Sequence, residues 1–294
     1  MPVELEDTFA LVGSVVAGRY LVEQTVARGG FGLVYKARHR ELAAHVALKV
    51  LVIPTHLRGS ANTALVAQFL AEARTLAALK HPAIVRALDA GSLDVAPDGE
   101  RIVWMALEWI DGRTLDDELR ERGGRGRSPR EALSLLTPAF EAIASAHERG
   151  VAHRDLKPGN LMLAADDRGA SPVRVLDFGI AKAMTPDEAP GSGLTETRSD
   201  VTGYSLFYAA PEQVGRLRTG PWTDVHALGL LVTELLAGRR AYQGEESLAI
   251  YSAVMSPERP TPARHGLDVG PWEAVLCKAL ALQPGERFAR AGEL

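Results

Sequence analysis

The sequence predicts an α+β fold of two lobes, a small β-rich front and a larger, mainly helical rear. Three observations predict it. Short β-branched or apolar runs crowd residues 19–51, helical spacing takes over from residue 128, and residues 225–237 are apolar nearly all round. The 294 residues suffice for one large domain or two modest lobes with a sizeable core.

In chain order, residues 1–17 read as a loosely ordered lead-in to a domain over 18–294. Its N-lobe spans about 18–108, a hinge about 108–112, and the C-lobe about 113–294. Tyr20-Leu21-Val22, residues 33–37 and residues 46–51 are the first strands. A helix over 60–80 follows, closed by His81-Pro82, since a proline disfavours helix in the residue before it. Strands return near 84–88 and 102–107, with Asp98-Gly99 as the turn. Ser128-Pro129-Arg130-Glu131 combines a capping serine, a first-turn proline and a glutamate that can reach back. The helix it opens runs towards Gly150, and Pro138 is expected to kink it. Residues 225–237 form the buried central helix of the rear lobe, stopped by Gly238. Residues 121–128 and 185–203 are the two conspicuous loops, and 290–294 reads as part of a helix.

Composition narrows the function class. A hydrophobic fraction of 46%, a charged fraction of 24% and a net charge of −4 describe an ordinary globular chain. They leave no broad electrostatic footprint for nucleic acid or an anionic membrane. The longest apolar stretch, 225–238, is too short for a membrane span and contains Glu234. The acidic N-terminus lacks the pattern of a signal peptide. The single cysteine, Cys277, excludes an intrachain disulfide and fits a reducing compartment, so a cytoplasmic location is expected. Its neighbours Val275, Leu276 and Leu280 predict a buried helical thiol.

Four groups of residues carry chemistry. Ala27-Arg28-Gly29-Gly30-Phe31-Gly32-Leu33-Val34 holds a glycine cluster whose backbone N–H groups can approach phosphate oxygens without side-chain clash. A strand, not a helix, follows it, which argues against a dinucleotide-binding turn; a plain glycine-rich hairpin is the competing reading. In Val46-Ala47-Leu48-Lys49, period two puts Ala47 and Lys49 on one face, where a lysine beside a small residue suits a phosphate. Taken alone, a lysine at a solvated edge explains Lys49 as well. The next helix alters that balance. Leu65, Phe69, Leu76 and Leu79 share one face, and Glu72 lies within that apolar stripe. A carboxylate facing a core is costly unless paired, and Lys49 is the obvious partner.

The fourth group is the most informative. His153-Arg154-Asp155-Leu156-Lys157-Pro158-Gly159-Asn160 is followed by Leu176-Asp177-Phe178-Gly179. Asp155 and Asn160, five apart in a loop, can set a carboxylate at a substrate hydroxyl and an amide oxygen on a metal. Asp177 leaves a short strand at a glycine, a posture suited to holding Mg²⁺ against phosphates. Asp, Asn and Gly also populate ordinary turns, but two separate runs of this length weigh against that reading.

In order and spacing these motifs, together with Ala210-Pro211-Glu212, resemble the eukaryotic-type (Hanks-type) protein Ser/Thr kinase family, and the alanine- and arginine-rich texture resembles its bacterial members. The resemblance implies a bilobal kinase fold that transfers the γ-phosphoryl group of Mg-ATP to a protein Ser/Thr hydroxyl, with Mn²⁺ as an alternative to Mg²⁺. It implies that Lys49 holds the α/β-phosphates and pairs with Glu72, and that Asp155 accepts the hydroxyl proton. It further implies that Lys157 steadies the transferred phosphoryl while Asn160 and Asp177 bind the metal. By the same resemblance ATP lies against Ala27, Gly29, Gly30, Phe31 and Gly32. Leu107 is the gatekeeper, Glu108 and Ile110 hold adenine, and Val34, Ala47 and Met162 sandwich it. Glu212 and Arg287 match a buried ion pair, and Asp224 matches an aspartate that orients the catalytic loop.

The sequence departs from the family at Ala27, where a glycine is usual, at Tyr204-Ser205, and at His226, an aromatic position. None removes a reacting group. Thr195, Thr197, Ser199 and Thr202 are candidate regulatory acceptors, with Arg154 and Lys182 placed to form a cationic pocket for a phosphate. Two other readings compete: a nucleotide-binding pseudokinase scaffold, which the altered glycine loop favours, and a small-molecule phosphotransferase. Intact Lys49, Asp155, Asn160 and Asp177 oppose the first, and the long segment ending in Ala210-Pro211-Glu212 opposes the second.

Overall fold

A computed structural model describes residues 6–29, 32–51, 60–95, 100–165, 173–178, 206–244 and 246–294. The chain divides into two compact units, Met1–Lys80 with Val85–Trp109, and His81–Ile84 with Ile110–Leu294.

The first unit is a six-stranded antiparallel sheet and one helix. The strands are β1 (Val15–Val16), β2 (Tyr20–Gly29), β3 (Gly32–His39), β4 (His45–Leu51), β5 (Ala87–Val95) and β6 (Glu100–Glu108), and the helix is α1 (Ser60–Ala78). They lie in the order β1-β2-β3-β4-β6-β5. Strict alternation sends Leu33, Tyr35, Ala37, Val46, Leu48 and Val50 into the core, where Ile102 and Trp104 join them. Gly32 is demanded by packing, since a Cβ there would sit 2.2 Å from the carbonyl oxygen of Val50.

Two expectations are corrected in this unit. The lead-in is folded onto the sheet from residue 7: Leu11 and Val16 are buried, and Phe9 packs on the core. Asp7 accepts hydrogen bonds from the Tyr35 hydroxyl and the Val12 amide, both at 2.8 Å. The strand expected at 84–88 begins at Ala87 and runs to Val95. Ile84 is buried and belongs to the second unit, where its backbone makes an isolated parallel bridge to Val175. The expected turn at Asp98-Gly99 lies outside the described residues.

The second unit contains a three-stranded sheet, β7 (Gly112–Thr114), β8 (Leu161–Ala164) and β9 (Val173–Val175), paired in that order. Its helices are α2 (Leu115–Arg122), α3 (Pro129–Glu148), α4 (Pro211–Val214), α5 (Pro221–Ala237), α6 (Ser247–Met255) and α7 (Trp272–Ala279). Capping boxes open two of them, Thr114 with Asp117 on α2 and Ser128 with Glu131 on α3. Pro138 lies inside α3, which continues through it to Glu148. Every residue of α5 from Thr223 to Leu236 is buried. Gly238 ends α5 at φ 68°, and its amide donates to the Glu234 carbonyl at 2.8 Å.

Two further expectations are corrected here. Cys277 is helical but exposed, because α7 turns Leu276 and Ala279 to the core and Cys277 away from it. Residues Ala291–Glu293 form a short 3-10 turn, not a helical run. Among the described residues, no helix is long and apolar enough to cross a membrane.

Candidate active site

The candidate residues of the first unit lie on β3, β4, β6 and α1. Val34 pairs directly with Lys49, and Ala47 with Leu107. Directly paired residues share a sheet face, so Val34 and Lys49 lie on one side together, as do Ala47 and Leu107. This is the face opposite Leu33, Tyr35, Leu48 and Val50. Lys49 Nζ reaches Glu72 Oε1 at 3.3 Å, with Glu72 buried among Phe69, Ala73 and Leu76 of α1. The pair answers the cost of a carboxylate on an apolar stripe. Leu65 of that stripe has its side chain outside the described residues. Ala27 is exposed on β2 and pairs with Val34. Glu108 ends β6, its carboxylate accepting from the Arg86 amide at 3.0 Å and from Arg86 Nε at 3.2 Å. Gly29 closes β2, whereas Gly30 and Phe31 lie outside the described residues.

The second unit gathers Asp155, Lys157 and Asn160 on one loop. Asp155 Oδ2 receives Lys157 Nζ at 3.0 Å and Asn160 Nδ2 at 3.2 Å. Asn160 Nδ2 also donates to the Asp155 carbonyl at 2.8 Å, closing the loop on itself. Behind it His153 is fully buried. Its Nε2 meets the Leu176 carbonyl at 2.8 Å, and its Nδ1 accepts from the Asp155 amide at 3.2 Å. A carbonyl can only accept and an amide can only donate, so the ring is neutral with its proton on Nε2. Burial also lowers the His153 pKa. The ring lies 4.6 Å from that of Phe178, so His153 ties the loop to the segment bearing Asp177. Asp177 has φ 41° and Arg154 φ 64°, left-handed backbone that non-glycine residues rarely adopt.

Asp224 supports Arg154 in that conformation. It sits, buried, in the first turn of α5, where the helix dipole favours a negative charge. Its Oδ2 accepts from the His153 amide and its Oδ1 from the Arg154 amide, each at 2.7 Å. The Arg154 carbonyl accepts from Gln213 Nε2 at 2.8 Å, which links the loop to α4. Glu212 of α4 forms a buried bidentate pair with Arg287, both contacts at 2.9 Å. Ile110 and Met162 belong to this unit, Met162 on β8. Lys182, Thr195, Thr197, Ser199, Thr202 and Gly179 lie outside the described residues, so the cationic pocket is described only through Arg154. Among the described residues, the buried Nε of Arg154 has no hydrogen-bond partner, and burial lowers the pKa of its guanidinium.

Sequence reasoning missed His147, Gln213 and Thr223. Thr223 Oγ1 donates to Glu212 Oε1 at 2.8 Å, and His147 Nε2 lies 2.8 Å from Asp224 Oδ2. The available signal was a histidine on the apolar face of α3, four residues after Ile143 and one after Ala146.

A profile described as the protein kinase domain matches residues 20–279. The chain belongs to the protein kinase family. A probable serine/threonine-protein kinase of Corynebacterium efficiens is 33% identical over 285 residues, 95% of this chain and 41% of that protein. Serine/threonine-protein kinase PknB of Mycolicibacterium smegmatis is 32% identical over 280 residues, 95% of this chain and 42% of PknB. The crystal structure of the Mycobacterium tuberculosis PknI kinase domain superposes with a TM-score of 0.68 at 25% identity, covering 97% of this chain and 96% of that one. The first two of these relatives are bacterial and are named as serine/threonine-protein kinases, which is what this chain is similar to. The chain spans less than half the length of these two curated relatives.

Kinases of this family use ATP and a divalent metal and act on proteins. The donor chemistry present fits such a metal, since Asp177 and Asn160 offer hard oxygen ligands. Among the described residues no cluster of three His, Cys, Asp or Glu side chains forms an all-protein cage. An ion that also takes phosphate and water oxygens needs none.

Proposed function

We propose that this chain is the catalytic domain of a cytoplasmic protein Ser/Thr kinase that transfers the γ-phosphoryl group of Mg-ATP to a protein hydroxyl. The observation that carries the reading is the Asp155 carboxylate, held between Lys157 Nζ and Asn160 Nδ2 on a loop whose backbone is fixed by Asp224. A carboxylate so oriented can accept a hydrogen bond from a substrate hydroxyl and take its proton as the oxygen attacks the γ-phosphorus. The β,γ-bridging oxygen then leaves with ADP. Lys157, beside the same carboxylate, supplies positive charge where negative charge spreads over the transferring group. Lys49, steadied by Glu72, holds the α/β-phosphates. Asn160 and Asp177 would hold Mg²⁺, which would neutralise phosphate charge. Val34, Ala47, Leu107, Glu108, Ile110 and Met162 serve the adenine, and residues 27–32 the phosphates. Most of the rate comes from positioning and fixed charge, since the transfer asks little covalent chemistry of the protein.

The test is to incubate the purified chain with Mg-ATP and a generic protein substrate and to map phosphosites. Phosphoserine or phosphothreonine that depends on Asp155 supports the reading. ATP binding without transfer would favour a scaffold instead.

A further inference from the structure

The glycine-rich hairpin of β2 and β3 hangs on an irregular ladder. Between Val22 and Gln24, and again between Thr25 and Ala27, β2 carries one residue more than β3 opposite it. A bulge removes ladder bonds and bends its strand, so two of them this close to the glycines leave the hairpin's angle weakly fixed by β2 itself. The folded lead-in spans the bulged stretch. At one end the Gly13 amide donates to the Val22 carbonyl at 2.9 Å and the Val22 amide to the Ser14 carbonyl at 3.0 Å, just before the first bulge. At the other end Asp7 Oδ1 accepts at 2.8 Å from the hydroxyl of Tyr35, which pairs with Thr25 at the edge of the second bulge. Between these ends Leu11 is buried and Phe9 packs on the core.

We propose that residues 7–14 brace the β2–β3 hairpin at the angle the ATP phosphates need, and that Asp7 and Tyr35 are the positioning residues that anchor the brace. The proposal rests on the kinase reading for the identity of the ligand only. Tyr35 is fully buried, so its hydroxyl needs an acceptor, and the lead-in supplies it. That acceptor is held in place by its own segment. Burial pushes the Asp7 pKa up, but the Val12 amide and the Tyr35 hydroxyl, with the amides of Leu11 and Phe9, hold it below the usual carboxylate value. The Ala10 amide also donates to the Asp7 carbonyl at 3.0 Å, so the carboxylate moves with the lead-in. Tyr35 faces the core, and its neighbour Val34 faces the other side of the sheet, with Lys49. Val34 pairs in turn with Ala27, so a shift of Tyr35 is passed to both residues. The brace thus acts from the core side on residues that meet the nucleotide on the other. Glu6 also lies 4.0 Å from Arg28, but both are exposed and the pair adds little.

The test compares wild type with Tyr35→Phe, Asp7→Leu and Asp7→Asn, by calorimetric titration with Mg-AMP-PNP, ATP kinetics and amide exchange. Phenylalanine removes the hydroxyl and keeps the ring's packing. Leucine removes the acceptor, whereas asparagine keeps one oxygen for Tyr35. In Tyr35→Phe and Asp7→Leu the Kd for Mg-AMP-PNP and the KM for ATP should rise roughly threefold to tenfold, the size of one intramolecular hydrogen bond. The kcat at saturating ATP should stay within about twofold of wild type. Amide exchange at residues 27–29 and 32–34 should quicken in both variants while the amides of β4 and β6 stay protected. Asp7→Asn should resemble wild type in affinity and exchange. A contact that serves stability alone would quicken exchange through the whole sheet and leave nucleotide affinity unchanged. That result overturns the proposal, as does wild-type affinity and hairpin exchange in Tyr35→Phe and Asp7→Leu. Should Asp7→Leu not fold, Tyr35→Phe set against Asp7→Asn decides by the same readings. A wild type that transfers no phosphate would overturn the kinase reading alone, since affinity and exchange still judge the brace.

Discussion

Replacing Arg287 with leucine should remove a large part of the second unit's stability. Both partners of the Glu212–Arg287 pair are buried, with side-chain exposures of 1% and 0%. The guanidinium makes two 2.9 Å contacts to the carboxylate and also donates to the carbonyls of Ala281 at 2.7 Å and Leu282 at 3.0 Å. Leucine leaves Glu212 with the Thr223 hydroxyl, and strands two carbonyls of the segment after α7. Removing one partner of a buried pair costs about 3–5 kcal/mol. At roughly 2 °C per kcal/mol for a chain of this size, the melting temperature should fall by about 6–10 °C. Urea unfolding followed by far-UV circular dichroism reads the loss directly, and Glu212→Gln/Arg287→Leu should cost clearly less than the sum of its single variants. A loss below about 1 kcal/mol for Arg287→Leu, the range of a surface pair, would refute the claim that this pair holds α4 to the body of the unit.

Gly32→Ala should destabilise the first unit by about 1–3 kcal/mol, as overpacking does, because its Cβ would meet a backbone oxygen at 2.2 Å; an unchanged unfolding midpoint would contradict this. Stability should also fall as pH drops from 6.5 to 5. Burial, with the charges of Arg287 and Arg259, holds the His226 pKa well below its ordinary 6.5, and burial lowers that of His153. Burial raises Glu234 from 4.5 to about 7. As the pH falls through this window the unfolded chain takes up protons on these histidines more readily than the folded chain does, while the raised Glu234 opposes this with one proton held in the folded chain. The two histidines outweigh the one carboxyl, so stability rises with pH here. Urea midpoints at pH 5.5 and 7.5 check it, and a higher midpoint at pH 5.5 would reverse the sign.

What the sequence disclosed followed from local rules. Glu72 was legible because a carboxylate inside an apolar helical stripe asks for a partner, and Lys49 was the basic group on the neighbouring strand's small-residue face. The cap at Ser128 and the stop at Gly238 depend on residues within four positions of each other, so they could be read directly. His147 could not, because its partners lie 77 and 144 residues away. Cys277 was misjudged because apolar neighbours do not fix which way a helical side chain points; one residue turns the face by about 100°. Ile84 looked like the start of a strand, yet its backbone makes an isolated bridge to Val175 within the second unit, to which both belong. Residues 7–16 gave no strong strand pattern, since contacts to Tyr35 and the sheet core hold them, rather than their own periodicity.

The central claim is that Asp155 is the carboxylate that receives the substrate hydroxyl. It is tested most directly by measuring single-turnover phosphoryl transfer to a protein substrate, and ATP affinity, for wild type and Asp155→Asn. Wild type should transfer phosphate to serine or threonine, and the variant should lose at least about a hundredfold in rate with ATP affinity unchanged within about twofold. Transfer at the wild-type rate by Asp155→Asn would contradict the account.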